Sequence, residues 1–223
     1  MTAALLVFDN VTLPGGTSRI SLEVPPHQAV LVLGSEDSGV DTLPSYALAL
    51  AKPSAGSVYL FSEEIARLPY RSLLAFRRRV GYLPAGDGLL QNLTLRDNVA
   101  LPLRYGSDLT EREIRGRLGV MLALLRIGDA GDIRPADATE EQRRRAALAR
   151  ALAFDPQLVI LADAFDGLTV RAAGELLDVA RGGETSEGAR RAVFMTGQYV
   201  PARLETRIET RYRLVRGELR TED

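Results

Sequence analysis

"VLGSEDSGVDTL" (residues 32–43) is the stretch on which the reading of this chain turns. An apolar run, Ala29 to Leu33, enters a turn rich in Gly and Ser, and a Leu-bearing segment follows. Gly34 and Gly39 have the spacing of the phosphate-loop pattern G-x-x-x-x-G-K-[ST], whose backbone N–H groups face a phosphate at a helix N-terminus. The next two positions depart from that pattern. Val40 stands where lysine would neutralise the phosphates, and Asp41 where a hydroxyl would bind Mg²⁺. The stretch alone leaves three readings open: a nucleotide site, the remains of one, or an ordinary strand-to-helix turn.

The chain has 223 residues, 46% hydrophobic and 26% charged, which suits one globular domain or one with a small subdomain. A core of that size needs no disulfides, and there is no cysteine to form one. "MTAALLVFDN" lacks the basic region and cleavage site of a signal peptide, and no apolar run approaches the roughly 18–20 residues of a membrane span. A cytoplasmic protein is expected, held at a membrane only through another molecule. The net charge is −1 and the basic residues are interspersed with acidic ones, so no nucleic-acid partner is expected. Arginine supplies nearly all the positive charge. Lys52 is the only lysine and His27 the only histidine, so any chemistry needing either side chain must use one of these two. His27 lies in the turn "PPHQ" and reads as an exposed turn residue.

Residues 4–13, 18–24 and 29–34 are rich in Val, Ile and Leu and are separated by "PGG" and "PPHQ", which is strand and turn chemistry. Residues 42–51 read as a helix that tolerates Pro44 only in its first turn. Residues 52–61 read as a turn and strand, 71–83 as a helix running into a strand, and 93–128 as mainly helical. "TEEQRRRAALARALAF" (139–154) is a further helix with Thr139 as its N-cap. "DPQLVILADAF" (155–165) is a turn and a strand apolar on both faces, as in a parallel sheet. A helix near 170–181, a Gly-rich loop, the strand "RAVFMTG" (191–197) and the hairpin "RYRLVRGELR" (211–220) complete an α/β alternation with a mainly parallel core.

This order of segments resembles the ATP-binding subunit of an ABC transporter over nearly the whole chain. "KPSAGSVYLF" (52–61) is similar to that family's P-[TS]-x-G-x-[IV] segment. Residues 77–103 are similar to the stretch running through the Q-loop, and "ARALAFDPQLVILAD" (149–163) to the helix after the signature, the Pro turn and the Walker B strand. Residues 88–114 are most similar to the lipid-transport branch, of Mla or Mce type. The resemblance implies a P-loop NTPase core with a mainly parallel sheet, an N-terminal antiparallel β subdomain and a helical subdomain at about 87–150, all within one nucleotide-binding domain, 1–223.

The resemblance also implies where the chemistry should be, and the residues there are of the wrong type. In the loop Gly34, Ser35, Glu36, Asp37, Ser38, Gly39, Val40, Asp41 and Thr42, the family has a further glycine at Asp37, so three carboxylates surround the cradle with no local cation. A carboxylate about 4 Å from a phosphate charge is opposed by roughly 4 kcal/mol at an effective dielectric of 20. Ala85 stands at the Q-loop glutamine, Ala164 at the catalytic glutamate, and Gly197 and Gln198 at the switch histidine. Asp163 remains at the Walker B aspartate and would hold Mg²⁺ only with a nucleotide present. "AFDGLT" (164–169) ends in Thr169 where the family has Asp, and Leu13 stands near the adenine-stacking aromatic. The signature L-S-G-G-Q aligns with Ala138, Thr139, Glu140, Glu141 and Gln142, whose glutamates also suit a helix N-terminus.

No intact catalytic residue and no cofactor are therefore expected, although the resemblance implies ATP and Mg²⁺. Two readings stay open. One is a pseudo-ATPase subunit of a lipid-transport complex, docked by Gly88, Leu89, Leu90, Asn98, Leu101 and Leu103 on the coupling helix of an integral-membrane permease at the inner face of the membrane. Its partners would include a second ABC subunit, identical or not, and an Mce-type lipid-binding protein. The other is a residual ATPase or sensor in which Arg143, Arg144 and Arg145 replace lysine charge. The plainer reading of those arginines is a solvated helix face.

Overall fold

The computed structural model describes residues 3–13, 19–185 and 188–222. The "PGG" turn expected at 14–16 lies outside them. The chain begins with strands β1 (Leu6–Thr12) and β2 (Arg19–Val24), which pair antiparallel. Strand β3 (Ala29–Gly34) leads through two short 3₁₀ turns, Glu36–Ser38 and Val40–Thr42, into helix α1 (Leu43–Ala47). Strands β4 (Ser57–Leu60) and β5 (Glu63–Glu64) follow, then α2 (Tyr70–Arg78) and β6 (Val80–Leu83). Helices α3 (Leu95–Gly106), α4 (Glu111–Leu124) and α5 (Glu140–Ala151) come next. Strand β7 (Leu158–Leu161), helix α6 (Val170–Arg181), the small strands β8 (Glu184–Thr185) and β9 (Gly188–Ala189), and strand β10 (Ala192–Gly197) continue the alternation. The last elements are α7 (Ala202–Glu205) and the hairpin β11 (Thr210–Val215) and β12 (Glu218–Glu222).

The main sheet has the order β12-β11-β3-β10-β7-β6, parallel throughout except for β12. A second, antiparallel sheet has the order β2-β1-β4-β5. Strands β3, β7 and β10 are buried at every position, and alternate side chains feed two separate cores. Leu31, Leu33, Val159, Leu161, Val193 and Met195 pack toward α3, α5 and α6. Val30, Val32, Leu158, Ile160 and Phe194 pack toward the antiparallel sheet and α1. This two-sided burial is why those strands read as unbroken apolar runs instead of alternating ones.

The helix expected at 42–51 is shorter. Its Leu48 caps α1 and Ala49 adopts φ +51°, a left-handed conformation. The Arg77 guanidinium, from α2, donates to the Leu48 carbonyl at 3.0 and 3.2 Å. A cation placed on the free carbonyls of a helix end stabilises a stop there. His27 also differs from expectation. It is half-buried, adopts φ +65°, and its Nδ1 donates to the Ala189 carbonyl at 2.7 Å, tying the "PPHQ" turn to β9.

The Phe8 and Phe194 rings lie 5.8 Å apart between the two sheets, and both are fully buried. Phe194→Ala is expected to cost about 3–5 kcal/mol in urea unfolding, since it removes a ring from a site closed by both sheets.

Candidate functional site

The carboxyl ends of β3, β7 and β10 point to one edge of the main sheet, where ligands bind in open parallel sheets. A cavity of about 160 Å³ lies there. Glu36, Val40 and Asp41 line it from the loop after β3, Ala85 from the loop after β6, Asp163 from the loop after β7, and Thr196, Gly197 and Gln198 from the end of β10. The structure thus brings the phosphate-loop, Q-loop, Walker B and switch positions to one place.

The loop itself is closed by its own hydrogen bonds. Ser38 N–H donates to Ser35 O at 2.9 Å, and Ser38 Oγ donates to the same carbonyl at 2.6 Å. Val40 N–H donates to Ser38 Oγ at 3.3 Å. Thr42 directs both its N–H and its hydroxyl to Gly39 O, at 3.1 and 2.6 Å. Ser38 Oγ lies over the Cα of Gly34, 2.3 Å from where a Cβ would stand. Glu36, Asp37 and Asp41 are exposed, whereas Val40 turns into the core. Leu13 packs beside Gly39, 3.5 Å from where a Cβ would stand.

Asp163 adopts φ +51° and sits beside Gly197. Burial, foremost, and the carboxylates of Asp166 and Glu36 push its carboxyl above the ordinary aspartate range, against the opposing pull of Arg144. Arg144 does not line the cavity. Its guanidinium, buried with α5, donates to the carbonyls of Pro84 at 3.1 Å and Asp163 at 2.7 Å. Burial lowers the Arg144 pKa. Arg145 is buried too, so the solvated face expected of these arginines is not what the helix presents. Their aliphatic stems and planar heads reach main-chain carbonyls and carboxylates inside the fold.

The signature positions form the N-terminus of α5, beside a separate polar cleft. Thr139 Oγ1 accepts from Gln142 N–H at 3.2 Å and Gln142 Oε1 accepts from Thr139 N–H at 2.9 Å, a reciprocal capping box. The Glu140 carboxylate lies on the Cα face of Gly167. Glu141 pairs with Arg145 at 2.8 Å. Ala138 is buried. Thr169 caps α6, accepting from Ala172 N–H at 3.2 Å.

Among the residues expected to meet a partner, Leu89, Asn98 and Leu103 are buried and face the interior. The Asn98 amide accepts from Leu90 N–H at 2.7 Å and donates to Leu90 O and Thr94 O at 3.0 Å, so it shapes the loop from within. Gly88 O accepts from Arg150 at 2.7 Å. Leu90 is exposed and Leu101 half-buried. The sequence reading missed a neighbouring groove of about 470 Å³ whose lining includes Leu74, Arg78, Tyr82, Tyr105 and Phe154. Tyr105, 85% exposed, is the sequence signal that could have marked it, an aromatic on the polar side of α3.

The family model described as ABC transporter matches residues 17–166. This chain belongs to the ABC transporter family. As a member, it is similar to the methionine import ATP-binding protein MetN of Mannheimia succiniciproducens, 32% identical over 150 residues, which are 67% of this chain and 43% of that protein. It is also similar to methionine import ATP-binding protein MetN 1 of Salmonella choleraesuis, 35% identical over 163 residues, 72% of this chain and 47% of that protein. The chain therefore spans about half the length of the curated relatives it matches. These relatives are named as methionine importers, not as members of the lipid-transport branch that residues 88–114 resemble. Among solved structures, a dimeric bacterial ABC transporter cassette superposes with TM-score 0.84 at 22% identity, covering 98% of each chain. The cbiO1 component of a Clostridium perfringens ABC transporter complex superposes with TM-score 0.82 at 17% identity, covering 97% of this chain and 87% of that one. Both show the ABC cassette fold.

Glu175 beside α5 offers a pH test of the helix framework. Arg145 first, then Arg171, holds its carboxyl down at about 2, below its ordinary 4.5. A depressed acid stabilises the fold above its unfolded pKa, and that contribution disappears as pH falls toward the folded value. Glu175→Gln is expected to lower the urea midpoint at neutral pH and to flatten its decline between pH 4.5 and about 2.

Proposed function

We propose that this chain is an ABC-type subunit that assembles with a membrane permease without binding or hydrolysing ATP. The observation that carries the reading is the charge of the cavity at the carboxyl edge of the sheet. Glu36, Asp41 and Asp163 line it, no Lys, Arg or His does, and the neighbouring Arg144 is fastened to main-chain carbonyls. Phosphates there would meet carboxylates with no counter-charge, each opposed by roughly 4 kcal/mol at about 4 Å. The residues do not fit Mg-ATP. The loop N–H groups of Ser38, Val40 and Thr42 bond within the loop, and Ala164 offers no general base.

Residues 87–150 serve in this reading as the helical subdomain. The groove beside Tyr105 and Leu74 is the docking place for a permease segment, and its exposed apolar side chains support that role. Among the described residues no helix is long and apolar enough to cross a membrane, so attachment to the inner face would come through the permease. A second ABC subunit completes the assembly. The chain handles no transported molecule itself: methionine, printed in the relatives' names, and lipid, suggested by residues 88–114, would be matters of the permease.

Restoring the loop tests this reading. The triple variant Asp37→Gly, Val40→Lys and Asp41→Thr removes two carboxylates and supplies the missing cation and hydroxyl. It is expected to gain a thermal shift with Mg-ATP that the unmodified chain lacks, yet no turnover, because position 164 has no carboxylate. ATP hydrolysis by the unmodified, purified chain would contradict the proposal.

A further inference from the structure

Helix α4 carries apolar side chains on two faces. Ile114, Leu118 and Leu122 are buried in the core that α3, α5 and α6 share. At 100° per residue, Gly116, Val120 and Ala123 fall on the opposite side. There Val120 is 69% exposed, and Leu124 at its border is 56% exposed. Arg112, Arg115 and Arg117 are exposed as well, and none of the three guanidinium groups takes a hydrogen bond or an ion pair among the described residues. Both glutamates of α4 are committed. Glu111 pairs with Arg104 at 3.2 Å, and the Glu113 carboxylate accepts from the Thr110 N–H and hydroxyl at 2.8 and 2.7 Å in the capping box. Arg117 adds a longer-range pull on Glu113. From 115 to 124, every exposed position of the helix is arginine, glycine or aliphatic. A Cβ at Gly116 or Gly119 would meet nothing, so guanidinium and aliphatic groups are what stand out from this face.

We propose that this face of α4 lies on an anionic lipid surface. Arginines beside exposed aliphatic side chains are the pattern of a helix at a membrane interface. Arg112, Arg115 and Arg117 meet lipid phosphates, and Val120 and Leu124 enter the headgroup boundary. No carboxylate or carbonyl holds the three guanidinium groups in place. They therefore suit a laterally mobile array of anions better than a folded acidic protein, whose pairing depends on held, bidentate geometry. A second copy of this chain would set arginines against arginines. The contact is small, three cationic and two large aliphatic side chains, so by itself it is weak and reversible. It serves as a second point of attachment for a chain that a permease already holds, where the effective concentration of lipid is high. The helix starts beside the groove assigned to the permease. Glu111, its first residue, pairs with Arg104, the neighbour of the groove residue Tyr105.

The inference rests on the proposed function only in placing the chain beside a membrane. The test is co-sedimentation of the full chain with vesicles of phosphatidylcholine containing about one part in three phosphatidylglycerol. Binding is expected at low salt, with loss of most of it at about 0.5 M salt and none to pure phosphatidylcholine. The triple variant Arg112→Gln, Arg115→Gln and Arg117→Gln keeps good helix formers and is expected to weaken partitioning at least about tenfold. Val120→Gln with Leu124→Gln is expected to weaken it about threefold to tenfold. Arg203→Gln with Arg216→Gln, two exposed arginines outside α4, is expected to leave it unchanged. The thermal midpoint of each variant checks that it folds. No binding to the anionic vesicles, equal binding to neutral ones, or an equal loss in the Arg203 and Arg216 variant would each overturn the inference. So would tighter binding to poly-glutamate than to the vesicles, which would assign the face to an acidic protein, or a dimer lost in the triple variant, which would assign it to a second copy. The vesicles hold no permease or nucleotide, so these failures leave the proposed function standing, and ATP hydrolysis would overturn that function alone.

Discussion

Strands β3, β7 and β10 must bury both of their faces, and the rest of the structure depends on that constraint. Their alternate side chains fill two cores, one under the helices and one under the antiparallel sheet. A substitution in any of these strands disturbs one of two packed interiors, each sensitive to single methylene groups. The turns that leave their carboxyl ends carry no such burden. The loop at 35–41 keeps its place because Gly34 and Val40 belong to buried structure on either side, whatever charge Glu36, Asp37 and Asp41 present to solvent. The ABC cassette architecture thus stands independently of the residues that in the family handle ATP.

Electrostatics inside the fold follow from having arginine as nearly the only cation. Planar guanidinium groups reach several acceptors at once, and here they are used as internal ties. Arg144 joins α5 to the ends of β6 and β7, Arg77 stops α1, and Arg145 joins α5 to α6 through Glu175 at 2.6 Å. None of these three lines the cavity at the sheet edge. The charges that hold the helices against the sheet are committed there, and the cavity is left with acid alone.

Much of the framework was legible in the sequence. Runs such as "AVLVLG" and "LVIL" carry no polar position, which two-sided burial requires, and Thr139 followed three residues on by Gln142 announced the cap that the structure contains. What stayed hidden depends on contacts between distant residues. The early stop of α1 follows from Arg77, 29 residues beyond Leu48. The burial of Arg144 and Arg145 is invisible in a run of three arginines, since such runs mostly face solvent. Leu89, Asn98 and Leu103 carry nothing that separates a groove-lining side chain from one in the core, and only packing placed them inside.

The central claim is that the acidic cavity and the closed loop exclude nucleotide, and calorimetric titration of the unmodified full chain with Mg-ATP tests it most directly. The account predicts no saturable heat at millimolar nucleotide, at low salt as well as high. Saturable binding near one ATP per chain at micromolar concentration, reduced when Asp163 is changed to Asn, would contradict it.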